Sequence, residues 1–281
     1  MSSRPAGQTA RSSVPPITRV QRGATLRTTL RTADGVRIDA AYDPGPGPVG
    51  GPAIVLAHGF TGDRARPHVR RAAGVFAQRA AVITFSFRGH GESGGRSTVG
   101  DREVLDLAAA VAWARSLGHA RVVTVGFSMG GSVVLRHAAL HRGRTEARVD
   151  AVVAVSAPAR WFYRGTAPMR RLHWLVTRPA GRVVGRLGLR TRIHAREWDP
   201  VPLSPTEAVP LLAPTPLLIV HGDRDPYFPL DHPRMLAAAA DGAAELWLEP
   251  GMGHAEHAAD DALLARIAEW ATASWTSATA E

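Results

Sequence analysis

The chain has 281 residues, enough for one large core, and its 45% hydrophobic and 21% charged content is that of a soluble globular domain. Its net charge is +10, every basic side chain is arginine and cysteine is absent, which excludes a disulfide framework, a thiolate nucleophile and a cysteine-based metal site. No apolar run approaches the length of a membrane span, and residues 1–21 lack the apolar core of a secretory signal, so a cytoplasmic location is expected.

Residues 1–21, rich in Ser, Arg, Pro and Thr, read as a disordered basic tail. Thr25–Thr32 and Val36–Tyr42 alternate apolar and polar residues around Asp34-Gly35, a hairpin signal. After a Pro/Gly linker over Pro44–Pro52, the apolar run Ala53–Ala57 predicts a strand covered on both faces. Helices are expected over Pro67–Arg79, Asp101–Leu117, Met129–His141 and Asp260–Ser274. Strands are expected over Ala81–Phe87, Arg121–Val125, Val149–Val155, Leu217–Val220 and Leu246–Leu248. Such alternation of strand and helix implies an α/β fold: a mostly parallel sheet with helices on both faces over residues 22–281. The rhythm breaks at 157–214, where prolines and Trp-containing apolar patches predict an inserted helical lid over the carboxyl edge of the sheet.

Val122–Gly131 is the stretch around which the chain is organised. It reads as a buried strand entering Gly126-Phe127-Ser128-Met129-Gly130, followed at once by a helical pattern. A serine on so sharp a turn needs glycine on either side for close backbone approach, and the turn lifts its hydroxyl to a helix N-terminus. An active serine also needs a base, an orienting acid and oxyanion donors. His254, on a Gly-flanked loop after a strand, is the candidate base, with His257 as local competitor. His119, His137 and His141 sit in or beside helices and are expected to face solvent. Asp225, before Pro226 in the loop after Leu217–Val220, is the candidate acid. Asp223 is expected to cap the turn instead. The donors are expected to be the backbone N–H of Met129 and one N–H of His58-Gly59-Phe60-Thr61-Gly62, Phe60 before Thr61; the His58 side chain is read as structural.

These motifs, with Phe87-Arg88-Gly89-His90-Gly91-Glu92-Ser93, His221-Gly222-Asp223-Arg224-Asp225 and Gly253-His254, resemble the α/β-hydrolase superfamily in its lidded esterase, monoacylglycerol-lipase-like and serine-aminopeptidase-like branch. The resemblance runs from residue 21 to the C-terminus. It implies that the second Asp of His-Gly-x-x-Asp, Asp225, is the triad acid, that 157–214 is a lid, and that Arg88–Ser93 shapes the mouth of the site. Relatives of this fold that use an Asp nucleophile are disfavoured, since position 128 is Ser.

The expected activity is hydrolysis of a small-molecule carboxylic ester or thioester through an acyl-enzyme, without metal or cofactor. Acyl transfer, amide hydrolysis or a cofactor-free perhydrolase reaction on the same residues are alternatives, and a non-catalytic binding protein is a further one. Charge clusters in one place. Arg160, Arg164, Arg170, Arg171, Arg178, Arg182, Arg186, Arg190, Arg192 and Arg196 lie between Ala157 and Arg196 with no Asp or Glu among them, interleaved with apolar residues. That pattern suits an anionic substrate or membrane surface, and equally a lid with a merely wetted outer face. No nucleic-acid-binding motif is present, and oligomeric state is left open.

Overall fold

The computed structural model describes residues 25–47 and 50–273. The expected tail at 1–21 and the end of the final helix at Ser274 lie outside the described residues. Eight strands form one sheet: β1 Leu26–Arg31, β2 Arg37–Asp43, β3 Ala53–Ala57, β4 Ala81–Phe85, β5 Val122–Phe127, β6 Ala151–Val155, β7 Leu217–Gly222 and β8 Ala244–Glu249. Their order is β1-β2-β4-β3-β5-β6-β7-β8. β1 and β2 form an antiparallel hairpin whose turn uses Gly35 at φ 84°, β2 runs antiparallel to β4, and the remaining pairs are parallel.

The continuous apolar run of β3 has the expected consequence. Ala53, Val55 and Ala57 enter one core layer and Ile54 and Leu56 the other. The first layer is covered by α2 (Glu103–Ser116), α3 (Met129–His141) and α7 (Asp231–Ala239), through residues such as Leu107, Val111, Leu135 and Leu236. The second is covered by α1 (Pro67–Phe76) and α9 (Asp261–Thr272), through Val69, Phe76, Leu264 and Ile267. α2 begins two residues later than its pattern predicts. The buried Glu103 carboxylate gathers Ser97 Oγ, Thr98 N and Oγ1, and Gly100 N, which holds the preceding residues in a turn.

Chain connections fix where chemistry can occur. From β3 the chain passes through α1 to β4 on one side, then through α2 to β5 on the other side of β3. The carboxyl ends of β3 and β5 therefore flank the point where strand order reverses, the usual place for a ligand crevice in an open α/β sheet.

Between β6 and β7 lie α4 (Ala167–Thr177), α5 (Pro179–Gly188), the short α6 (Pro205–Ala208) and a 3₁₀ turn, Val209–Leu212. The segment carries no strand, only two single-residue bridges, His90 to Thr191 and Ser97 to Ile193, which tie it to the loop after β4. Trp161 packs edge-on against Trp198 at 5.1 Å, and Trp198 Nε1 donates to Thr98 O at 2.7 Å.

One expectation fails. His119, His137 and His141 are buried. His137 and His141 lie on the part of α3 packed among the sheet, α2 and the α6 region, whereas Leu140 of the same helix is exposed. His137 and His141 stack at 4.4 Å. His119 donates from Nδ1 to Gly51 O at 2.7 Å and accepts from the Tyr42 hydroxyl at 3.1 Å.

Candidate active site

Ser128 stands between the end of β5 and the start of α3, and its φ of 53° and ψ of −115° are rare for a residue bearing a side chain. Such a conformation costs on the order of 1–3 kcal/mol and persists only where neighbours fix it. Here the Ser128 N–H donates to Val155 O at 2.9 Å, and Ser128 O accepts from Ser132 N at 3.2 Å. A Cβ on Gly126 would collide with the Gly130 carbonyl, and one on Gly130 with the Ala57 carbonyl, so both flanking positions require glycine.

Ser128 Oγ lies 2.9 Å from His254 Nε2, and His254 Nδ1 lies 2.7 Å from Asp225 Oδ2. A carboxylate can only accept, so Nδ1 carries the proton, and Nε2 is left to accept from the serine hydroxyl. Asp225 Oδ1 takes the Tyr227 and Phe228 N–H groups at 2.8 and 3.1 Å. Burial works to raise the Asp225 pKa, but the His254 hydrogen bond and charge with these two backbone donors outweigh it, and the carboxyl is held below its ordinary value. Tyr227 stacks on His254 at 4.3 Å and limits the tilt of the imidazole.

The structure thus brings Ser128, His254 and Asp225 together and leaves their two competitors outside. Asp223 Oδ1 accepts the Gly251 N–H at 2.7 Å and bridges two loops. The His257 ring lies tilted against that of His68, with centroids 3.6 Å apart.

The loop after β3 lies against the serine, since a Cβ on Gly59 would sit 3.4 Å from Ser128 Cβ. Thr61 N–H is already committed to His90 Nε2 at 3.3 Å, which leaves Phe60 N–H, with Met129 N–H, as the donors available on the two sides of Ser128. His58 braces this loop. Its Nδ1 donates to Gly59 O at 2.7 Å and its Nε2 accepts from Phe87 N at 3.0 Å. Burial is the chief cause that drives both His58 and His90 down to about 4, so both rings are neutral scaffolding at pH 7. Arg88 has the same character. Its guanidinium is buried and bridges Asp106 and Asp34 at 2.7–3.0 Å.

A cavity of about 350 Å³ opens between Ser128 and the segment connecting β6 to β7, with Trp161, Phe162, Leu172 and Val176 among its walls. Several contributors escape sequence reasoning. Ser156 Oγ accepts the Ala255 N–H at 3.0 Å beside His254, and the buried Glu256 accepts the Gly59 N–H at 3.2 Å. Ser156 directly follows a predicted strand and Glu256 lies two residues after the candidate base, the only signals available for them.

The α/β hydrolase fold family matches this chain over residues 52–181. The chain has the α/β-hydrolase fold. A monoacylglycerol lipase of Mycolicibacterium smegmatis is 28% identical over 264 residues, covering 78% of this chain and 86% of that protein. Among solved structures, the chain is similar to the Pyrococcus furiosus esterase Pf2001, with TM-score 0.67 and 21% identity over 88% of this chain and 90% of the esterase. It is also similar to XC6422 of Xanthomonas campestris, an α/β serine hydrolase without a lid, with TM-score 0.60 and 20% identity over 90% of this chain and 96% of that one.

Proposed function

We propose that the protein is a serine esterase that cleaves a carboxylic ester or thioester through an acyl-enzyme. The reading rests chiefly on one observation: Ser128 Oγ, His254 and Asp225 are in hydrogen-bond series at 2.9 and 2.7 Å. Ser128 attacks the acyl carbon while His254 Nε2 takes its proton, and Asp225 stabilises the imidazolium and fixes its tautomer. The oxyanion is held by the N–H groups of Phe60 and Met129. His254 then gives its proton to the leaving alcohol or thiol, and water attacks the acyl-enzyme by the same relay in reverse.

In this reading the helices between β6 and β7 are a lid, and the apolar walls around Trp161, Phe162 and Leu172 receive the acyl group. The esterase and lipase named among the similar proteins support an ester as substrate. The outer face of the lid is the candidate for an anionic contact. Arg171, Arg178 and Arg186 form no ion pair among the described residues, and they neighbour the exposed Trp174, Val183, Val184 and Leu187. Among the described residues no helix is long and apolar enough to cross a membrane.

The test is a panel of p-nitrophenyl esters from acetate to palmitate, with competing nucleophiles added. Hydrolysis with a chain-length optimum is expected. No turnover across the panel, or products formed only with a non-water acceptor, would overturn the assignment.

A further inference from the structure

We propose that His68, Glu256 and His257 form a binding site for a divalent transition-metal ion that joins α1 to α8 (Ala255–Ala258). Each of the three side chains can offer one ligand atom, and these atoms lie within 4.8 Å of one another. His68 comes from α1 and the other two from the short helix after His254, so nothing in local sequence brings them together. His68 Nε2 is 4.0 Å from Glu256 Oε1, and the two imidazole rings are 3.6 Å apart.

Charge makes this cluster unusual. The Glu256 side chain is 3% exposed, and a buried carboxylate is costly unless it is paired or coordinates a metal. No arginine pairs with it. The arginines whose charge acts on His68 are engaged elsewhere: Arg71 with Asp261 at 2.6 Å and with the Glu256 and Ala259 carbonyls, and Arg66 with Asp63 at 3.5 Å. The hydrogen bond that Glu256 accepts is the Gly59 N–H, and neither His68 nor His257 makes a side-chain hydrogen bond among the described residues. Two imidazoles with free lone pairs beside a carboxylate lacking a cation make a donor set that a divalent ion completes.

Two nitrogens and one oxygen suit Zn²⁺ and its neighbours rather than Ca²⁺ or Mg²⁺. Metal–ligand bonds of about 2.0–2.1 Å place tetrahedral ligand atoms about 3.3 Å apart, so on binding the donor atoms must draw together while the two imidazole rings swing apart from their present contact. His257 is exposed and has room to turn inward. Glu256 Oε1 would keep the Gly59 N–H, which couples the ion to the loop carrying Phe60. No step of the ester chemistry passes through this ion. Its role is to staple α1 to α8.

The test uses the untagged full-length protein, stripped with a chelator and titrated with Zn²⁺ by calorimetry and thermal unfolding at pH 7. One saturable site is expected, with a Tm that rises with Zn²⁺ concentration. His257→Ala changes only an exposed side chain, and Glu256→Gln keeps an acceptor for Gly59. Each is expected to weaken Zn²⁺ at least tenfold, whereas His194→Ala, in the segment between β6 and β7, leaves it unchanged. No saturable binding, or binding that survives both variants, would overturn the site.

Discussion

The Ser156 hydroxyl accepts the Ala255 N–H at 3.0 Å, so the end of β6 holds the residue that follows His254. Both residues have positive φ, 49° and 54°, and both are buried. Ser156→Ala leaves a buried N–H without its acceptor, a loss of about 1–3 kcal/mol. Steady-state kinetics should show kcat lowered by roughly tenfold with KM little changed, because the base is misplaced while the acyl cavity is intact. An unchanged kcat would mean that the backbone of this loop holds His254 unaided.

The two aspartates of the β7–α7 loop make opposite forecasts. Asp225→Asn turns an acceptor toward His254 into an amide and permits the wrong imidazole tautomer, so kcat should fall by about 10³–10⁴. Asp223→Asn weakens an exposed contact to Gly251 and should shift Tm by a few degrees with kcat nearly unchanged. Parallel kinetic and thermal measurements on both variants check the pair. Reversed results would move the acid to Asp223.

Burial, the leading cause in each case, holds His58, His90 and His232 near 4, against 6.5 for a free imidazole. The unfolded chain therefore binds protons between about pH 6.5 and 4 that the folded chain refuses, and stability must fall as pH drops through that window. Urea midpoints at pH 7.5, 6 and 5 should decline in order. His232 Nδ1 accepts the Ala159 N–H, an interaction that Asn can reproduce, so His232→Asn should flatten the decline. A wild-type midpoint independent of pH would contradict this account.

Much of this was legible in sequence because the signals are local. Gly126 and Gly130 mark a turn whose backbone contacts only glycine can make, and the unbroken apolar run of β3 announces burial on both faces. The candidate residues were legible because each follows closely on a strand, Ser128 directly after β5 and Asp225 and His254 in the loops after β7 and β8. The illegible parts depend on tertiary contacts. Histidines on α3 look solvent-facing until the sheet and the inserted segment cover their side of that helix, and Glu256 gains its meaning only when Gly59, far away in sequence, lies against it.

The arginines of the segment between β6 and β7 carry a prediction about salt. Arg171, Arg178 and Arg186 lie beside an exposed apolar face, and any attraction they exert on an anion is screened once the Debye length falls to about 10 Å, near 0.1 M salt. kcat/KM for an anionic ester should fall as salt rises, whereas a matched neutral ester should be insensitive. Arg171→Gln with Arg186→Gln should mimic high salt. Equal salt responses for both esters would leave these arginines as a wetted outer face.

The most direct test is to label the wild-type protein and Ser128→Ala with a fluorophosphonate and to map the modified peptide by mass spectrometry, alongside ester turnover. The account predicts a single adduct on Ser128, no adduct in the variant, and turnover reduced by several orders of magnitude to what oxyanion donors and binding alone sustain. An adduct at another residue, or turnover by Ser128→Ala within tenfold of wild type, would contradict it.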